Sequence, residues 1–202
     1  MKGIYFSQTP IEQESEQTYA CSKFLGCPTF PQNFLIDADG ECILSESDYF
    51  IMQVNLQDIA HRQSLLPNEG MLYFFIDVDT YEPKVLYASD LQTGPLEVYD
   101  DINDAFSVDF GITQGYRLVF DESLQEGHYL AGDINPDLDI YADTDTEGYI
   151  TLLEIDFLAL PREDMLTFGY LAPLGGHYVF LIKEEELMEL DFSNVKFVEK
   201  ET

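Results

Sequence analysis

Tryptophan is absent from the 202 residues, lysine and arginine together number nine, and cysteine occurs three times. Each shortage excludes something. Binding nucleic acid or an anionic membrane requires lysine and arginine to displace counterions, so a chain this poor in them is not built for phosphate partners. Cys21, Cys27 and Cys42 are odd in number and form no CxxC pair. They fit reduced thiols better than a disulfide framework or a zinc site, and the expected location is the cytoplasm. Long apolar runs are missing too. The opening MKGIYFSQTPIEQESEQ has no signal-length hydrophobic stretch, and no segment approaches the length of a membrane span.

What the chain has in excess is acid. Thirty-nine Asp and Glu give a formal net charge of −30. The bias is uneven: Val85 to Pro161 holds 17 acids and one base, Arg117. Yet 46% of residues are hydrophobic, with 15 Phe and 13 Tyr, so a core can form and the chain is not a disordered acidic tail. Charge of this kind keeps a protein soluble, and it also steers basic partners toward an acidic face. Asp133, Asp137 and Asp139 are the candidate partner contacts.

Strand patterning dominates. Tyr49 to Leu56 alternates Phe50, Met52, Val54 and Leu56 against Gln53 and Asn55. Gly70 then opens the apolar run MLYFFI, and Lys84 to Tyr87 reads as the next strand. The same grammar returns later: Tyr149 to Leu158 alternates, Gly175-Gly176 open HYVFLI, and Asn194 to Val198 closes the set. Gln53-x-Asn55 and Glu154-x-Asp156 match as amide and acid versions of one shape. The expectation is an internal duplication inside a single domain over 1–202, with repeats at 22–88 and 105–198. Leu96 to Tyr99, Ala105 to Ile112 and Tyr116 to Phe120 add strands between the copies. Helix signals are few: Thr9-Pro10-Ile11-Glu12 reads as a capping box opening a helix to about Ser22, and Glu184 to Glu189 suits a turn or two. The predicted class is α+β, dominated by antiparallel sheet with few short helices.

Ser22-Lys-Phe-Leu-Gly-Cys-Pro-Thr-Phe-Pro31, Gln53-Val-Asn-Leu56 and Leu66-Pro-x-x-Gly70-x-Leu-x-Phe-Phe-Ile76 together resemble the YwqG-like family of bacterial proteins. Tyr129 to Gly132, Leu152 to Asp156, Gly176 to Ile182 and Asp191 to Phe197 resemble its later elements, so the likeness runs from about 22 to 198. Leu25 and Cys27 stand in and beside the family's glycine pair, and its tryptophan–glycine element is missing. The resemblance implies a duplicated α+β fold and brings no catalytic residues, since the family is mostly described as of unknown function.

One motif points to calcium. DTDTEGYITLLE, Asp143 to Glu154, has acids at positions 1, 3 and 5, Gly at 6 and Glu at 12, close to an EF-hand loop. An EF-hand needs a helix on each side. Upstream lies Pro136 in a segment without a helical apolar face, and downstream residues 149 to 157 alternate like a strand. A solvated acidic turn is the preferred reading, with adventitious divalent-cation binding by Asp143, Asp145 and Glu147 as the alternative. Glu154 and Asp156 share a strand face and could do acid–base work, but the matching amides Gln53 and Asn55 cannot titrate, which favours a structural role. His61, His128 and His177 are isolated in sequence, and no GxSxG or P-loop occurs. The reading is therefore a binding module without a cofactor or catalytic residues, taking a basic protein and neither nucleic acid nor membrane. The alternative is an enzyme or a small-ligand or metal-binding protein with its site between the repeats, built on Glu154, Asp156 and a histidine.

Overall fold

The computed structural model describes residues 3–13, 15–91, 95–99, 115–121, 124, 128–134, 146–156 and 176–201. These divide between two compact units: a central one within 8–61 and 67–119, and a terminal one within 1–7, 62–66 and 120–202.

In the central unit, β2 (Lys23–Phe24), β4 (Asp48–Asn55), β5 (Met71–Asp77), β6 (Pro83–Ala88) and β8 (Tyr116–Phe120) pair antiparallel in the order β8-β2-β4-β5-β6. A second, two-stranded sheet joins β3 (Thr29–Pro31) to β7 (Leu96–Val98). β4 and β5 are buried along nearly their whole length, β5 as its unbroken apolar run requires and β4 with its polar Asp48, Gln53 and Asn55 buried too. Phe30, Leu35, Leu44, Phe50, Met71, Tyr73, Phe75 and Ala88 form the core, with the Phe30 and Tyr73 rings 4.6 Å apart. Gly70 has φ +102° where the chain enters β5, and a Cβ there would meet the Ala88 carbonyl oxygen at 2.6 Å. Only glycine combines that conformation with that approach.

In the terminal unit, β1 (Ile4–Pro10, through residues 4–6), β9 (His128–Gly132), β10 (Tyr149–Asp156), β11 (Gly176–Lys183) and β12 (Lys196–Glu201) pair antiparallel in the order β1-β9-β10-β11-β12. Leu130, Leu153, Ile155, Tyr178, Phe180 and Ile182 are buried here.

The two sheets correspond position by position. Met52 and Gln53 face Phe74 and Tyr73, while Leu153 and Glu154 face Phe180 and Val179. Each register shifts by one residue at the same place, between Phe50 and Met52 and between Thr151 and Leu153. On the other side, Lys23 faces Gln53 as Tyr129 faces Glu154. Two residues on from Lys23 and Tyr129, Leu25 and Ala131 both sit at left-handed φ, +56° and +50°. Gly70, just before β5, and Gly176, the first residue of β11, likewise hold matching places.

The α+β class is overturned. The described residues are mostly antiparallel strand, with two short helices, α1 (Glu16–Tyr19) and α2 (Glu184–Met188), and a 3-10 turn at Leu56–Asp58. The predicted helix from Pro10 to Ser22 fails because Pro10 closes β1 and the helix starts only after Ser15, whose N–H donates to Thr18 Oγ1 at 3.0 Å. α1 buries none of its residues, and without an apolar face to anchor it a single turn is all that forms. α2 is held by Leu187, its one buried side chain. The strand expected at 105–112 lies outside the described residues. No helix among those described is long and apolar enough to cross a membrane.

Candidate functional site

The carboxamides of β4 are structural. Gln53 donates through Nε2 to the carbonyls of Tyr19 at 3.0 Å and Cys21 at 2.9 Å, and its Oε1 accepts from Thr29 N at 2.9 Å. Asn55 donates to Ala20 O at 2.7 Å and accepts from Gln57 N at 3.0 Å. Its own N–H donates to Ser22 Oγ at 2.9 Å, and Ser22 Oγ donates to Asp58 Oδ2 at 2.7 Å. Neutral side chains thus fasten the segment from Tyr19 to Thr29 onto the sheet, and each donor meets an acceptor.

The corresponding places in the terminal unit are ionisable. Glu154 stands where Gln53 does, Asp156 where Asn55 does, His128 where Ser22 does and His177 where Met71 does. The parallel extends to a hydrogen bond: Asp156 N donates to His128 Nδ1 at 3.2 Å, as Asn55 N donates to Ser22 Oγ. His177 faces Asp156 across β10 and β11, and its Nδ1 lies 3.0 Å from Glu154 Oε1. That is ion-pair distance, although the alignment falls short of a hydrogen bond. The carboxylate is the deeper partner, with 3% of its side chain exposed against 13% for His177.

His128 stacks on Phe6, ring centroids 5.2 Å apart, and burial lowers its pKa to about 4. Nearby Asp156 opposes that shift and His177 adds to it. His128 is therefore neutral at physiological pH, consistent with accepting a hydrogen bond at Nδ1. Tyr5, Tyr129 and Glu154 are successive cross-strand neighbours and share a face, with the two rings 5.1 Å apart. Burial first, and then the Glu154 charge, raise the pKa of Tyr5. The same two influences raise Tyr129, against a bond from the Gly3 N–H and with Tyr5 adding to the rise.

The acidic loop comes out differently. Thr146 to Gly148 make a turn into β10, with Tyr149 N donating to Thr146 O at 3.0 Å and Gly148 at φ +78°. Glu147 is exposed, and the supposed twelfth ligand Glu154 is buried within a strand where an EF-hand would continue as helix. Asp143 and Asp145 lie outside the described residues, as do Asp137 and Asp139, while Asp133 is exposed. Among the described residues no group of three or more His, Cys, Asp or Glu is arranged to hold a metal ion. Sequence reasoning singled out Glu154 and Asp156 but set His128 and His177 aside as isolated. The available signal was Gly176, which opens β11 and places the next residue opposite the end of β10.

Residues 22–126, from β2 through β8, match the family described as Domain of unknown function (DUF1963). The chain belongs to that family. The DUF1963 match covers just over half of the chain and holds the Gln53–Asn55 network, whereas Glu154, Asp156 and His177 lie beyond it. No curated protein matches the chain.

Proposed function

We propose that this member of the DUF1963 family is a cytoplasmic, non-enzymatic binding protein of the YwqG-like type that holds a basic protein against its acidic surface. The role of an immunity or inhibitor protein, neutralising a basic effector, uses such a surface fully. One observation carries the reading: the chain has a net charge of −30, and in both units acids among the described residues face solvent. Among the described residues Lys23 is buried, Arg62, Lys84, Lys183 and Lys196 are half-buried and Arg117 is exposed, while acids such as Glu41, Glu82, Asp90, Asp133, Glu147, Glu185 and Asp191 face solvent. A field of one sign speeds encounter with an oppositely charged partner and rejects like-charged ones. The exposed Cys42 thiol, in no disulfide, supports the reducing compartment.

Two copies of one five-strand pattern belong to this reading, and their shared register and bulge support it. The copies then take in β8 and β1 as well as the hairpins seen in sequence.

Affinity capture from lysate on the immobilised chain, at about 0.05 M and about 0.15 M salt, tests the function. The expected result is a basic protein retained in a stoichiometric complex at both. A chain that retains no basic protein at either salt overturns the proposal.

A further inference from the structure

The correspondence of the two sheets isolates one residue. With Ser22, Gln53, Asn55 and Met71, the central sheet attains the same strand order, register and bulge using neutral side chains. The architecture therefore does not demand His128, Glu154, Asp156 and His177 at the matching positions of the terminal sheet. Glu154 is the sharpest departure. Gln53 both donates and accepts, whereas a carboxylate has nothing to donate and cannot fasten backbone carbonyls. Glu154 is 2% exposed, and its Oε1 faces His177. Its Oε2 is buried and accepts no hydrogen bond among the described residues. A buried carboxylate oxygen without a donor is a standing cost to the fold.

The surroundings say what kind of donor is missing. Tyr5 and Tyr129 lie in the same cross-strand row, and their rings attract cations. Asp156 adds a second carboxylate two residues along the strand, and buried His128 is neutral and offers no compensating charge. Among the described residues no group of three or more His, Cys, Asp or Glu is arranged to hold a metal ion. We infer that Glu154 Oε2 receives the N–H donors of an organic cation, an ammonium or guanidinium group, beside the Tyr5 and Tyr129 rings. A charge-assisted contact of this type completes the carboxylate's hydrogen bonding and is stronger than a neutral one. The same chemistry is offered by a small free amine and by a lysine or arginine side chain of a basic protein. The inference rests on Glu154 and its neighbours and stands apart from the acidic-surface reading.

Agmatine, which carries both cationic groups, is the probe, with uncharged butyramide as control and salt at about 0.15 M to suppress diffuse attraction. The readouts are the NMR resonance of the His177 imidazole and the melting temperature. In the wild-type chain agmatine shifts the resonance saturably and raises the melting temperature, while butyramide does neither. Glu154→Gln installs the residue the central sheet carries at this register; without probe it melts about 2–8 °C higher, and it does not respond to agmatine. An arginine-containing tripeptide separates the sources. Binding about tenfold tighter than agmatine assigns the site to a protein side chain, and equal or weaker binding assigns it to a small amine. Two results overturn the inference: a wild-type His177 resonance unmoved by both cationic probes, which needs no variant, or an equal response in Glu154→Gln. If agmatine binds but capture retains no basic protein, the acidic-surface reading falls and this one remains.

Discussion

Gln53 and Glu154 occupy one register position with opposite demands, and exchanging them separates structure from function. Gln53→Glu removes two donations, to Tyr19 O and Cys21 O, and sets a carboxylate against both carbonyls. The expected cost is about 3 kcal/mol or more, measured by denaturant unfolding. The reciprocal Glu154→Gln is stabilising, because the amide carries no charge to desolvate. His128 gives a pH-dependent prediction. Its folded pKa of about 4 lies below the unfolded value of about 6.5, so between them the unfolded chain binds the extra proton. Stability from the neutral imidazole is complete above about pH 6.5 and lost as pH falls toward 4, by about 3 kcal/mol across the window. Acid also relieves repulsion among the carboxylates, so the quantity to measure is wild type minus His128→Gln. That difference should fall between pH 7 and 4. A flat difference would show that His128 does not titrate across this range.

At the scale of elements, glycine geometry makes a graded prediction. Gly70→Ala meets both an unfavourable φ of +102° and the Ala88 carbonyl at 2.6 Å, and should cost more than about 2 kcal/mol. Gly148→Ala, at φ +78° with nothing within 4 Å of the added Cβ, should cost about 1 kcal/mol. Thermal melts of the two variants check the order. The long strands were readable because burial leaves a period: β4, β5, β6, β10 and β11 all appear close to where alternation or an unbroken apolar run placed them. β1 was not, since IYFSQTP ends in Thr-Pro and the proline that closes the strand also imitates a helix start. The two-residue β2 and three-residue β3 are too short to carry a period, and they exist because Gln53, Asn55 and Ser22 hold the chain around them. For the candidate site, Glu154 and Asp156 could be seen as a pair on one strand. Their meeting with His128 and His177 is set by the registers of β9, β10 and β11, which pairwise side-chain spacing in one strand does not encode.

The whole molecule is governed by its charge. With a net −30, self-repulsion opposes the compact state, and added salt screens it over a Debye length of about 10 Å at 0.1 M. The melting temperature should therefore rise as salt increases from about 0.02 M to about 0.3 M, before any partner is added. Binding should respond in the opposite sense, because the same salt weakens attraction between exposed charges on two molecules. That opposition distinguishes a surface that merely tolerates its charge from one that uses it. The most direct measurement is the dissociation constant of the captured complex, determined with purified partner across this salt range. The account predicts a basic partner whose affinity falls steadily as salt rises, chiefly through a slower association rate. An affinity that does not change with salt, or a captured partner that is itself acidic, would contradict it.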